Sequence, residues 1–262
     1  MKMKGNILLV VTFTVVCMLS IPSKGYSASA RGVTDTTIKI GGIFDLTGPL
    51  VTTIKPMVEA FRNYTRHVNE GGGIHGRKIQ LIIEDDRYTI PAAVAAFKKL
   101  VYRDEIFALI GPGSTGETRA LTDHIMKHKL PSIVFAADED VIEPYKRYLF
   151  LPLDTYENQI GVILDYIVEV TKTKKPRIVN ACVDAGAKVP ILRGFKKWSK
   201  FFGLEVQDIM LPMNVLDTTS EVLIMKKAKI DYIVLRPFSS RTQKGLDSTL
   251  RSLVHIHLPQ RM

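Results

Sequence analysis

Two hydrophobic rhythms alternate along almost the whole chain. Short apolar runs are followed by stretches whose apolar residues recur every three to four positions, which predicts strands and helices in succession. Residues 38–44, 79–83, 107–110, 131–137 and 148–151 read as strands. The second of these is apolar apart from Gln80, as suits a buried parallel sheet. Between them, Ile54, Met57, Val58, Phe61, Tyr64 and Val68 give one helix face over 53–69, and Val94, Phe97, Leu100 and Val101 give another. Gly71-Gly-Gly-Ile-His-Gly76 stops the first helix, and Pro91 opens the second, where a missing N–H does no harm. Leu121 and Ile125 mark a third. After Leu153-Asp-Thr the rhythm restarts with a helix over 156–170, a strand over 177–183 and a helix over 189–202 that turns Ile191, Phe195, Trp198 and Phe202 inward. A strand over 204–211, a helix over 218–228 and a strand over 232–235 follow. From Arg241 onward Gly245 and a polar run leave no sustained period, so 241–262 reads as an atypical tail.

The fold class is therefore α/β, in two lobes, 31–152 and 153–240. The first thirty residues stand apart. Lys2 and Lys4 precede an apolar stretch over 7–19, and Ala28-Ser-Ala30 offers a small-x-small cleavage site. This reads as a signal peptide and predicts export, with a mature chain beginning at Arg31. Loss of the leader lowers the net charge from +10 to +7 and leaves Cys182 as the one cysteine, which excludes an intrachain disulfide. Within its apolar run Cys182 reads as a small buried hydrophobe.

Three charged clusters read as structure. The basic stretch 172–200 is a solvated face without the interleaved aromatics of a nucleic-acid binder, so no nucleic-acid partner is expected. Glu84-Asp-Asp86 is a polar strand end, since turns collect Asp for backbone hydrogen bonds. His124 and His128, one helical turn apart, are surface histidines without a third ligand nearby, and no metal is expected.

The stretch with the most chemistry is Phe107-Ala-Leu-Ile-Gly-Pro-Gly-Ser-Thr-Gly116 with the helix after it. Strand, glycine-rich loop and helix N-terminus together present backbone N–H groups at the positive end of a helix dipole, which suits an anion. Gly111, Gly113 and Gly116 imitate a dinucleotide fingerprint, with Asp138 at the spacing of a ribose partner, but the loop follows the third strand and not the first. A P-loop would need lysine where Glu117 stands, and a nucleophile elbow around Ser114 would need glycine at Pro112. A tight turn with a Ser/Thr cap and no ligand is the remaining alternative.

Four segments carry a family resemblance: Ile38-Lys-Ile-Gly-Gly-Ile-Phe-Asp-Leu-Thr-Gly-Pro49, Val68-Asn-Glu-Gly-Gly-Gly-Ile-His-Gly-Arg-Lys78, Glu84-Asp-Asp86 and Ala108-Leu-Ile-Gly-Pro-Gly-Ser-Thr-Gly116. They resemble the periplasmic substrate-binding proteins of branched-chain amino-acid-type ABC transporters, over residues 36 to about 238. The resemblance implies a type I periplasmic binding fold of two doubly wound parallel-sheet lobes. The second lobe, and a return to the first, would be incomplete in this chain. It implies a monomeric, periplasmic, non-enzymatic solute receptor without cofactor, working with a membrane permease of an ABC transporter. A ligand-sensing module of the same fold is the alternative. It also implies the site. Ser114 and Thr115 fall where the family grips a ligand carboxylate. Ala136, Ala137 and Asp138 fall where it meets the ligand's ammonium. Asp184 and Phe238 fall on the second lobe's wall, and Asp184 replaces the aromatic often found there.

Overall fold

A computed structural model describes residues 30–171, 175–183, 185–213, 215–236 and 240–254. The leader reading, apart from Ala30, lies outside them. No helix among the described residues is long and apolar enough to cross a membrane.

The first sheet contains β1 (Thr37–Phe44), β2 (Lys78–Asp85), β3 (Ala108–Ile110), β4 (Ser132–Ile133) and β5 (Leu149–Phe150). They lie in the order β2-β1-β3-β4-β5, and every pair is parallel. Strand side chains alternate between the two faces. Ile43 joins Phe97 and Leu100, and also Leu121 and Ile125, in one buried cluster. Those residues belong to α2 (Ile90–Lys98), to the π-helical turn that continues it (Lys99–Arg103) and to α3 (Thr115–Lys127). Phe44 points the other way, onto Phe61 of α1 (Val51–Glu70). Beyond α1, that second face lies open among the described residues. Ile40, Ile79, Leu81, Ala108, Ile110 and Phe150 line a groove of about 540 Å³ there.

Strand β4 is much shorter than the sequence predicts. Strand β3 ends at Ile110, two residues before Pro112, which has no N–H for the ladder. Its neighbour β4 then loses its partner, and Phe135 donates to the carbonyl of Pro112 instead of continuing a strand to residue 137.

Among the described residues the chain crosses once, to a second sheet, β7-β6-β8, also parallel, made of β6 (Arg177–Val183), β7 (Glu205–Leu211) and β8 (Tyr232–Arg236). One face carries α5 (Tyr156–Thr171) and α6 (Lys188–Phe202). Ile160, Leu164, Ile191 and Phe195 bury there against Ile178 and Cys182. Gly203, at φ +65°, ends α6 while Leu204 N–H reaches back to the Ser199 carbonyl. The other face carries α7 (Thr219–Lys227). It also carries α8 (Ser240–Val254), which corrects the tail reading. Thr242, Leu246 and Leu250 lie four apart and are buried, a stripe too narrow to stand out among polar residues. Gly245 is what lets this helix approach. A Cβ there would lie 2.4 Å from the Leu216 carbonyl oxygen.

Candidate functional site

The loops leaving β1, β2, β3 and β4 gather at one end of the first sheet. Gly111 turns the third of them at φ +98°, and a Cβ in its place would stand 2.3 Å from the Ile43 carbonyl oxygen. Only glycine lets the chain turn that close to β1. Ser114 then caps α3, its hydroxyl accepting from Glu117 N–H at 3.2 Å and donating to Glu117 Oε2 at 2.7 Å. The Thr118 N–H and hydroxyl both donate to the Ser114 carbonyl. The N–H groups of Thr115 and Gly116, first in the helix, have no acceptor within it. An anion can therefore be held by these two groups and the Thr115 hydroxyl, while the Ser114 hydroxyl is engaged with Glu117. The spacing Ser114-x-x-Glu117 matches a capping box, a signal that reading the loop for ligands had missed.

Acids lie behind this loop. Asp45 accepts from Gly48 and Leu50 N–H and so steers the chain into α1. Asp85 accepts from Leu46 N–H, Arg87 N–H and the Thr47 hydroxyl, the strand-end role expected of it. Asp86 takes Tyr88 N–H on Oδ1 at 2.9 Å. Its Oδ2 and Glu117 Oε1 are buried without a donor. Burial pushes the Glu117 carboxyl up to about 7, and the neighbouring Asp86 charge raises it further; burial pushes the Asp86 carboxyl up to about 6, with the charges of Asp45 and Asp85 adding to it and the hydrogen bond with Glu117 opposing it. Carboxylate oxygens of Asp45, Asp85 and Asp86 lie within 4.8 Å of one another. The backbone N–H donors that Asp45 and Asp85 receive explain these two carboxylates as groups that shape the loops. The two histidines are held by ring contacts. His124 and His128 pack against Phe97, and His128 Nε2 bonds the Tyr102 hydroxyl at 2.9 Å.

At the end of β4 the backbone acceptors have partners within the chain. The Ala136 carbonyl accepts from Asp138 N–H at 2.8 Å and the Ala137 carbonyl from Tyr156 N–H at 2.6 Å, where the chain has just crossed between sheets. Asp138 is fully buried and caps the short helix α4 (Glu139–Ile142). Its carboxylate pairs with Arg119 of α3 and, at 2.9 Å, with Arg193 of α6. Arg193 had no role in the sequence reading, because nothing local marks it out from the surrounding basic residues.

Ser114, Thr115, Ala136, Ala137 and Asp138 thus share one end of the first sheet, and the second lobe reaches it. A Cβ on Gly186, in the loop after β6, would lie 2.9 Å from the Gly116 nitrogen. Glycine at 186 permits this approach, whereas a Cβ on Gly116 would stand 4.0 Å from the Gly186 Cα. Asp184 and Phe238 lie outside the described residues.

Residues 37–242 match the periplasmic binding protein family. An amino acid binding protein of Pseudomonas aeruginosa is 27% identical over 114 residues, 43% of this chain and 30% of its own length. Among solved structures, a fatty acid ABC transporter substrate-binding protein from Thermomonospora curvata superposes with a TM-score of 0.73 at 25% identity. The match covers 86% of this chain and 57% of that one. A branched chain amino acid ABC transporter protein from Thermus thermophilus, with bound valine, gives 0.75 at 21% identity over 84% of this chain and 57% of that one. A solute binding protein of an ABC transporter from Rhodopseudomonas palustris, in complex with 3,4-dihydroxy benzoic acid, gives 0.68 at 23% identity over 81% and 60%. The chain spans less than two thirds of each of these relatives. The family match, the two parallel sheets and the shared fold agree: the chain belongs to the periplasmic binding protein family, with the type I fold.

Proposed function

We propose that this chain is the solute-capturing component of an ABC importer. It holds a small carboxylate-bearing molecule, an amino acid or related organic acid, between its lobes for a membrane permease. One observation carries the reading: the unengaged N–H groups of Thr115 and Gly116 open α3 where the Gly186 loop arrives from the other lobe. A carboxylate there gains charge-assisted hydrogen bonds and the helix dipole together. The Thr115 hydroxyl adds a donor, and the second lobe selects the rest of the solute. Valine, 3,4-dihydroxybenzoic acid and fatty acids, named for the relatives, all carry a carboxylate. Ala136, Ala137 and Asp138 bound the opposite end of the pocket. Asp184 and Phe238 complete the wall in this proposal. The solute leaves chemically unchanged, so the protein is a receptor and not an enzyme. We place it in the periplasm as a monomer with the leader removed.

Thermal-shift screening of residues 31–262 against valine, 3,4-dihydroxybenzoate and octanoate tests this. A solute at 100 times its Kd stabilises by about 2.7 kcal/mol, enough to move a melting curve. A rise with one or more of these supports the reading. No rise with any of them, beside a rise with a neutral or purely cationic solute, overturns the carboxylate class.

A further inference from the structure

We propose that Arg193 is a latch between the two lobes, built from protein groups alone. The proposal does not depend on which solute binds, or on whether the solute reading is correct. Arg193 stands on α6 in the second lobe, and every nitrogen of its guanidinium is engaged. Nη1 donates to both carboxylate oxygens of Asp140 at 2.9 Å, Nη2 to Asp138 Oδ1 at 2.9 Å, and Nε to Glu157 Oε1 at 2.8 Å. Such a planar fork offers five N–H donors in fixed directions to three carboxylates, where a lysine offers three from a single atom.

The three acids divide between the lobes. Glu157 belongs to α5, beside α6, and is buried. It aims the guanidinium from within the second lobe. Asp138 and Asp140 belong to the start of α4 in the first lobe. Opening the lobes therefore breaks the bonds to Asp138 and Asp140 and keeps the one to Glu157. Neither buried acid is then left alone. Asp138 retains Arg119 of its own lobe together with the Asp140 N–H, and Glu157 retains Arg193. Asp140, which loses most, is 56% exposed, so water replaces Arg193 beside it while Arg119 stays 3.6 Å away. Breaking a buried ion pair usually strands a charge, and that is what makes such pairs permanent. This arrangement strands none, so it can open and close. The Tyr156 N–H to Ala137 carbonyl bond at the crossing provides a fixed point for that motion. A solute whose cationic group approaches Asp138 meets Arg193 already there and must share the acid or displace the arginine.

The test is the distance between the lobes without solute. Cysteines at Arg87 and Val189, both exposed at the rims, take spin labels, while buried Cys182 stays unlabelled. The unsubstituted background is expected to give one short distance. Arg193→Ala is expected to shift it to a longer, broader distribution, and Arg193→Lys and Asp140→Asn to shift it part of the way. High salt is expected to lengthen the distance with Arg193 present and to leave Arg193→Ala unchanged, since Asp140 is exposed to screening. Should Arg193→Ala fail to fold, Asp140→Asn and the salt series decide. An unchanged distance in Asp140→Asn and in high salt overturns the latch.

Discussion

Glu117 shows how one residue can serve the fold and constrain the site. Its carboxyl completes the cap of α3 through Ser114 while facing the orphaned oxygen of Asp86. Its pKa in the folded chain is raised, so the folded state holds a proton that the unfolded chain gives up sooner. Stability from this group is complete below about pH 4.5 and is lost as the pH rises towards about 7. Glu117→Gln should flatten that fall, because the amide can still accept from Ser114 and can donate to Asp86. Urea unfolding at pH 5 and pH 8 checks this. The variant should be more stable than the parent at pH 8, by about 1–2 kcal/mol. An identical pH slope in both proteins would show that the pair does not share a proton. The same sign applies to the site, where a solute carboxylate should bind more weakly at pH 8 than at pH 6.

At the scale of elements, most of the architecture was legible because core-facing helices and buried strands write their period directly into the chain. The strand over 177–183 and the two long helices of the second lobe fall within a residue or two of their expected limits. What stayed hidden depends on partners distant in sequence. Helix α8 buries only a thin stripe, and its fit rests on Gly245 meeting Leu216, which no local pattern announces. The candidate site divides in the same way. The anion-ready loop was visible in its glycines and hydroxyls. The engagement of Asp138 by Arg193, 55 residues away, was not. If α8 belongs to the core of the second lobe, Leu246→Ala should cost about 2–5 kcal/mol, the range for a buried leucine. Equilibrium denaturation followed at Trp198 reads this out. A change within ±0.5 kcal/mol, typical of surface substitutions, would return the segment to the status of a tail.

At the scale of the whole molecule, the described residues show two lobes in contact and apolar surface left open on each. Phe150, Ile133 and Tyr64 remain 53%, 43% and 70% exposed around the apolar groove of the first sheet. Trp198, Phe201 and Val162 form a second apolar patch, between α5 and α6. Contiguous apolar surface of this kind promotes association. Phe150→Glu is therefore expected to raise the monomer fraction of residues 31–262 in size-exclusion chromatography with light scattering, without lowering the melting temperature. An unchanged distribution would place self-association elsewhere, with the Trp198 patch the next surface to substitute.

Calorimetric titration of Thr115→Ala beside the parent chain tests the account's central claim most directly. The titrant is the carboxylate that gives the largest melting shift in the screen. If the start of α3 holds the solute carboxylate, the variant should keep its melting temperature and bind about 1–3 kcal/mol more weakly, as expected for a hydrogen bond to a charged group. Equal affinity in two equally stable proteins would contradict capture at this loop.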